Sequence, residues 1–263
     1  MLPSASPEAD LATPDSKLHI RLLGPMAVLW GGTPIRLATA AARALVALLA
    51  LRGRLQFREA VAADLWPDLG QRSSTALRQA LWLVRASLHQ VGADSASIID
   101  VDDELIGFYP ERVDVDAIRF ERLLGTRPRQ VEEAVSLYRG DLALTCGQEC
   151  FSRERDRLAD LFEDALAEVA RRRIETRDFE GARDASVALL SRDPLREEGH
   201  ANLIEIYGQI GSRSQVTRQY RRLRSVLESE LSVPPLPETE AVYQAALGAT
   251  YARSLAATER RRG

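Results

Sequence analysis

The residues best equipped for chemistry are few and scattered. His19, His89 and His200 lie far apart, and none sits beside a second histidine or a cysteine, as a metal site would ask. Cys146 and Cys150 are separated by three residues in a Gly-containing stretch with no further Cys or His partner, so packed or solvated thiols are expected rather than a zinc or redox centre. Neither a G-x-x-x-x-G-K-[ST] phosphate loop nor a G-x-S-x-G nucleophile elbow occurs. Carboxylates are plentiful but sit among arginines, as in Glu154-Arg155-Asp156-Arg157, a pattern of solvated ion pairs on a helix. No catalytic, cofactor-binding or metal-binding residue is assigned, and the chain reads as a protein that is not an enzyme.

One segment has a different character. From Gln71 through Val91 there is no acidic residue, although the chain is acidic overall. The helical period divides this segment in two. Leu77, Leu81, Val84 and Leu88 fall at i, i+4, i+7 and i+11, a stripe that must pack inward. Thr75, Arg78, Gln79, Trp82 and Arg85 lie on the other side, with Arg72 just before them. Cations, an amide and an aromatic on one face can reach phosphates and base edges in a DNA major groove. The alternative is a merely solvated face.

The elements around this segment set its context. Leu18, Ile20 and Leu22 alternate with His19, Arg21 and Leu23; Met26–Leu29 follows a Gly24-Pro25 turn, and Gly31-Gly32 marks a hairpin. Thr39 caps a helix over Ala40–Leu51, a second runs from about Arg58 to Leu65, and a third from Ser73 or Ser74 to His89. Leu55-Gln56-Phe57 reads as a tight connection, and Ile98–Val101 with Leu105–Phe108 as a terminal hairpin. Strands, three helices and a hairpin in this order predict a winged helix-turn-helix with a small antiparallel sheet. Asp100, Asp102, Asp103 and Glu104 make the hairpin tip acidic, which would repel phosphates.

After Pro110 strand signals give way to amphipathic helices. Ala117–Leu124 and Val131–Tyr138 form an atypical helical pair. Val169 and Leu203, Ala182 and Val216, and Ser186 and Tyr220 then recur at a spacing of 34, the tetratricopeptide period, in two degenerate repeats. The expected organisation is a disordered leader over 1–16, a winged-helix domain over 17–109, a tetratricopeptide-like helical domain over 110–248 and a frayed tail over 249–263. The fold is mainly α.

Composition agrees with a soluble protein of one or two domains. Of 263 residues 45% are hydrophobic and 28% charged, and the formal net charge is −3, so any nucleic-acid surface must be local. Lys17 is the one lysine among 35 cationic residues. The N-terminus lacks a cationic start and an apolar run, and the longest apolar stretch, Ala44 to Leu51, is far short of the roughly 20 residues that span a bilayer. A cytoplasmic, nucleoid-associated protein without membrane partners is expected.

Several segments in order carry a family resemblance. "LHIRLLGPMAV", "LVALLALRGR", "ADLWPDL" and "ALRQALWLVRASL" resemble the DNA-binding half of the bacterial antibiotic-regulatory-type transcriptional activators, the SARP or AfsR-like family. "VDVDAIRFERLL", "LYRGDL", "RERDRLADL", "DPLREEGHANLIEIYGQIG", "YRRLRSVLESEL" and "LPETEAVYQ" are similar to the bacterial transcriptional activator domain that follows in that family. The resemblance implies an OmpR-like winged helix that binds promoter direct repeats in double-stranded DNA as a head-to-tail homodimer and recruits RNA polymerase. It implies Thr75, Arg78, Gln79, Trp82 and Arg85 on the DNA side, and Trp66, Pro67 and Asp68 in a loop near polymerase. Relatives commonly carry a cation at the position of Ala41, whereas Arg43 remains and is counted with Arg72 among the DNA-contacting residues. The competing reading is an interaction module whose winged helix has lost DNA binding.

Overall fold

The computed structural model describes residues 17–126, 130–143, 146 and 149–260, with side chains placed through residue 252. The expected leader over 1–16 lies outside the described residues. The chain forms two compact units: residues to 127 with 136–159, and 128–135 with 160–263.

In the first unit β1 (Leu18–Arg21) pairs antiparallel with β2 (Ala27–Trp30), which pairs with β3 (Thr33–Pro34). Gly31 and Gly32, with φ of 52° and 86°, make the β2–β3 turn in a conformation that other residues resist. α1 (Ala40–Arg52) begins at Thr39, whose Oγ1 accepts from Ala42 N at 3.1 Å, and stops at Gly53 with φ 60°. Ala42 and all seven residues from Ala44 to Ala50 are buried, so α1 is the helix around which the unit packs. β4 (Gln56–Phe57), α2 (Arg58–Leu65) and α3 (Ser73–Gln90) follow, then the hairpin of β5 (Ile99–Val101) and β6 (Leu105–Phe108). The second sheet has the order β4-β6-β5. This is a winged helix.

Three expectations need correcting. The connection at Leu55-Gln56-Phe57 contains a strand, because Gln56 and Phe57 pair with Ile106 and Leu105. Strand pairing also continues past Pro110: β7 (Val113–Val115) runs parallel to β1, giving the order β3-β2-β1-β7. Three residues are too few to reveal a period of two, and the partner is 95 residues upstream. The compact units therefore do not divide at residue 110. α4 (Asp116–Gly125) follows β7 directly, and the Asp116 carboxylate accepts from Leu22 N at 2.7 Å and Leu23 N at 3.2 Å. Desolvation pushes the Asp116 pKa up, and those N–H groups oppose the shift.

The second unit is helical. α5 (Val131–Leu137) begins in it. α6 (Ser152–Glu175) belongs to it from Asp160 on, and α7 (Phe179–Arg192), α8 (Glu197–Gln209), α9 (Arg213–Glu230) and α10 (Pro237–Arg260) follow. The positions 34 apart correspond structurally: Val169 and Leu203 are buried on α6 and α8, and Ala182 and Val216 on α7 and α9. Ile174, Ala182, Leu190, Leu203 and Ile206 make one core cluster, and Ile204, Val216 and Ala246 another. The frayed tail expected from residue 249 is instead helix as far as Arg260. Thr250 is buried there, and the alanine-rich sequence around it favours helix.

Two predictions concern this unit. A Cβ on Gly208 would stand 2.7 Å from Ala246 Cβ and 2.9 Å from its Cα, so α8 and α10 approach each other through that glycine. Gly208→Ala will destabilise the protein by about 1–3 kcal/mol, outweighing a helix-propensity gain of about 1 kcal/mol. Urea denaturation will show this, and adding Ala246→Gly will recover part of it.

His200 is buried, with Nε2 at 3.1 Å from Pro194 O and Nδ1 at 2.8 Å from Gln219 Nε2. The two partners fit a neutral ring that donates from Nε2 and accepts at Nδ1. Desolvation holds its pKa below the ordinary value; the Pro194 carbonyl opposes this, nearby Arg222 adds to it and Glu197 opposes it. With the folded pKa below the unfolded one, the unfolded chain takes up the proton first as pH falls. The stabilisation is present above about pH 6.5 and is lost below it. Melting temperature will fall between about pH 7.5 and pH 5.5, and less steeply in His200→Gln.

Candidate nucleic-acid interface

α3 carries the predicted division. Leu77, Leu81, Val84 and Leu88 are buried, while Thr75, Arg78, Gln79, Trp82 and Arg85 are exposed. Trp82 is 67% exposed, a large apolar surface left in water on a helix that buries its other side well. Arg78 Nη2 donates to Thr75 Oγ1 at 3.2 Å, one helical turn back. The first turn holds Ser73, Ser74 and Thr75 and no acidic residue.

The outward face is one wall of an open groove of about 360 Å³. Arg78, Leu81, Trp82 and Arg85 come from α3, Val101, Asp102 and Asp103 from the hairpin, and Arg58 from the start of α2. Arg58 was not singled out in the sequence. It arrives there because β4 pairs with β6: Arg58 N donates to Glu104 O at 2.8 Å and its Nη1 to Asp102 O at 2.7 Å. A long-range pairing of two residues leaves no local signal for that.

The acidic tip is built rather than loose. Asp102 Oδ1 accepts from Glu104 N at 2.8 Å and Leu105 N at 2.6 Å, closing the turn. Those two donors, Leu105 first, hold the Asp102 carboxyl below its usual range, and Arg58 adds a smaller pull.

The remaining predicted residues are spread around this groove. Arg72 is exposed at the end of a turn of 3-10 helix, Pro67–Arg72, that leads into α3. Gly70 breaks that turn with φ 50° and ψ −125°. Trp66 is half-buried, its N–H closing α2 onto Ala62 O at 3.0 Å, whereas Pro67 and Asp68 are exposed beside Leu69. Arg43 stands apart: it is half-buried in the first turn of α1, and its Nη1 donates to Leu37 O at 3.1 Å.

Among the described residues no group of three or more His, Cys, Asp or Glu could hold a metal ion, and no helix is long and apolar enough to cross a membrane. Cys146 is buried and Cys150 half-buried.

The fold is a winged helix followed in the chain by a tetratricopeptide-like helical domain. The sequence pattern of the bacterial transcriptional activator domain matches residues 115–247, about half the chain, and the chain belongs to that family. That family is one of bacterial transcriptional activators. No curated protein matches it significantly. Among solved structures it is similar in fold to EmbR of Mycobacterium tuberculosis, in a complex with a low-affinity phosphopeptide. The TM-score is 0.73 at 20% identity, over 94% of this chain and 71% of that one.

The tip yields a prediction. Asn retains the side-chain oxygen that closes the turn, so Asp102→Asn, Asp103→Asn and Glu104→Gln together will leave the hairpin folded while removing its charge. Binding to random-sequence duplex at low salt will tighten, and the difference will shrink as salt rises. Unchanged binding will mean that the tip does not approach phosphates.

Proposed function

We propose that the chain is a sequence-specific DNA-binding activator that binds promoter direct repeats as head-to-tail copies and recruits RNA polymerase at the bacterial nucleoid. The observation that carries this reading is the exposure of Thr75, Arg78, Gln79, Trp82 and Arg85 on one face of the helix where a winged helix meets the major groove. Arg78 and Arg85 are seven residues apart, about 10.5 Å along the axis, so one groove can take both. Arg78, nearer the N-terminal half, contacts a base, most simply guanine through a bidentate pair. Arg85 holds phosphate, and Trp82 packs on sugar or a thymine methyl between them. Arg72 and Arg58 add backbone contacts at the edge. Arg43, tied to Leu37, acts by fixing the approach to α1. The exposed Pro67-Asp68 turn after Trp66 faces polymerase. Head-to-tail copies put half-sites about one helical turn, 10–10.5 bp, apart or near a multiple of it.

A second reading has one specific observation behind it. Asp102 and Asp103 share the groove with Arg78 and Arg85, so the hairpin competes with phosphate for the same cations. An interaction module that no longer binds DNA would tolerate that arrangement.

Titrations on a selected site and on random duplex separate the two. Arg78→Ala will cost about 1–3 kcal/mol on the selected site and relax discrimination at one base pair. Arg85→Ala will weaken all sequences alike and flatten the salt slope by about one unit. If both variants bind as the parent does, α3 does not read DNA and the interaction module stands.

A further inference from the structure

α9 presents a second cationic surface, in the other unit. No acidic residue occurs from Ile206 through Leu227, in a chain with 38 acidic and 35 basic residues. Within that window α9 carries Arg213, Arg218, Arg221, Arg222 and Arg224, and all five are exposed. Val216, Gln219, Leu223 and Leu227 are its buried side, so the arginines occupy the outward half.

What distinguishes these arginines is the absence of partners. Elsewhere in the same unit, Arg171 pairs with Glu175 at 2.9 Å, Arg173 with Glu132 at 3.2 Å, and Arg196 with Asp164 at 2.7 Å. None of the five on α9 forms an ion pair among the described residues. Glu240, whose field reaches Arg224, has its oxygens engaged by Tyr220 and Gln244. Five like charges on one helix repel one another, and only Glu240 near Arg224 and Glu228 at the edge of the run offset that, neither through an ion pair.

We propose that this face of α9 binds the phosphate backbone of duplex DNA without reading its bases. The proposal rests on the DNA-binding reading above and adds a second contact surface to it. Arg213 to Arg224 spans about 16 Å of helix, and duplex DNA carries a charge about every 1.7 Å of its axis, so each guanidinium finds a phosphate in any sequence. The exposed hydroxyls of Ser214 and Ser225 lie between the arginines and suit phosphate oxygens. Two shallow hollows meet at Arg221, one reaching back to Arg213 and the other to Arg224 and Ser225. An acidic protein segment is the less suited occupant, because an exposed apolar anchor exists only at one end, where Val233, Pro234 and Pro235 line the hollow of Arg221 and Arg224, and the hollow from Arg213 to Arg221 has none.

The test uses the full chain and equal charge changes. Arg218→Gln with Arg221→Gln removes two cations from α9. Arg171→Gln with Arg183→Gln removes two that are paired, with Glu175 and Asp184. Thermal melts establish that both variants fold. Affinity for a random-sequence duplex is then measured across salt, beside the parent and Arg78→Ala. The α9 pair will lose at least tenfold in affinity at about 0.1 M salt, and its slope of log affinity against log salt will flatten by about two units, near 0.9 per phosphate lost. The paired-arginine control will move the slope by less than about half a unit. Equal effects in both pairs overturn the proposal, because net charge alone would then act. An unchanged α9 pair beside a weakened Arg78→Ala overturns it while leaving the DNA reading intact, whether or not the face captures polyglutamate instead. A parent that binds no duplex overturns both.

Discussion

Four side chains on α3, Leu77, Leu81, Val84 and Leu88, have to be out of water, and the helix has one rotation about its axis that satisfies all four. Everything polar on the helix is then committed to the opposite side. The rotation is reinforced from below by α1, which is buried nearly all round and therefore offers α3 an apolar bed with no polar competitor. Burying an apolar side chain of this size is worth roughly 1.5–3 kcal/mol, so the stripe outweighs any preference of the exposed residues by several fold. The direction in which Arg78, Trp82 and Arg85 point follows from what Leu77 and Leu81 need.

That is why α3 and the hairpin of β5 and β6 were legible in the sequence, whereas the strand that joins that hairpin, β4, was not. A stripe at i, i+4, i+7 and i+11 is a local pattern, and so are the caps at Thr39 and Gly53 that bound α1. Arg58 joins the groove through the pairing of Gln56-Phe57 with β6, whose other strand segment lies some fifty residues on. β7 joins β1 over a still longer loop, and its three residues carry no readable period. Local order is written in spacing; long-range pairing of short segments is decided by which edges remain open once the local elements have packed.

The same distinction accounts for the second unit. The 34-residue recurrence is visible at Val169, Ala182, Leu203 and Val216 because these positions are small or apolar for a packing reason that repeats. At the third recurring pair, Ser186 and Tyr220, the residue types diverge because the two repeats pack against different neighbours: Ser186 is buried and donates to Ala182 O at 2.8 Å, whereas Tyr220 stacks on Tyr243 of α10 at 3.9 Å. A terminal repeat must meet a capping helix rather than another repeat, and Tyr220 is shaped by that demand. Gly208 serves the same contact, since only a residue without a Cβ lets α8 approach Ala246 so closely. The degeneracy that weakens the pattern in sequence is thus a record of where the array ends.

Charge completes the argument. With a net charge of −3 the molecule has no general attraction for a polyanion, so affinity has to come from places where cations are left without partners. Among the described residues, ion pairs neutralise a minority of its arginines, at Glu132, Glu163, Asp164 and Glu175 in the second unit and at Asp64 and Glu121 in the first. Among the same residues, α3 and α9 each gather exposed cations without an ion-pair partner on one helix, in different ways. On α3 the cations flank an exposed tryptophan and face an acidic hairpin across a groove, an arrangement that penalises loose contact with phosphate and so favours a ligand that also satisfies Trp82 and Arg78. On α9 no acidic hairpin faces the arginines, and the one aromatic of the helix, Tyr220, is stacked on Tyr243. On the proposed reading the first surface discriminates and the second only attracts. A regulator that must find a short site in a long polyanion needs both properties, and separating them on two helices lets the attraction rise without eroding the discrimination.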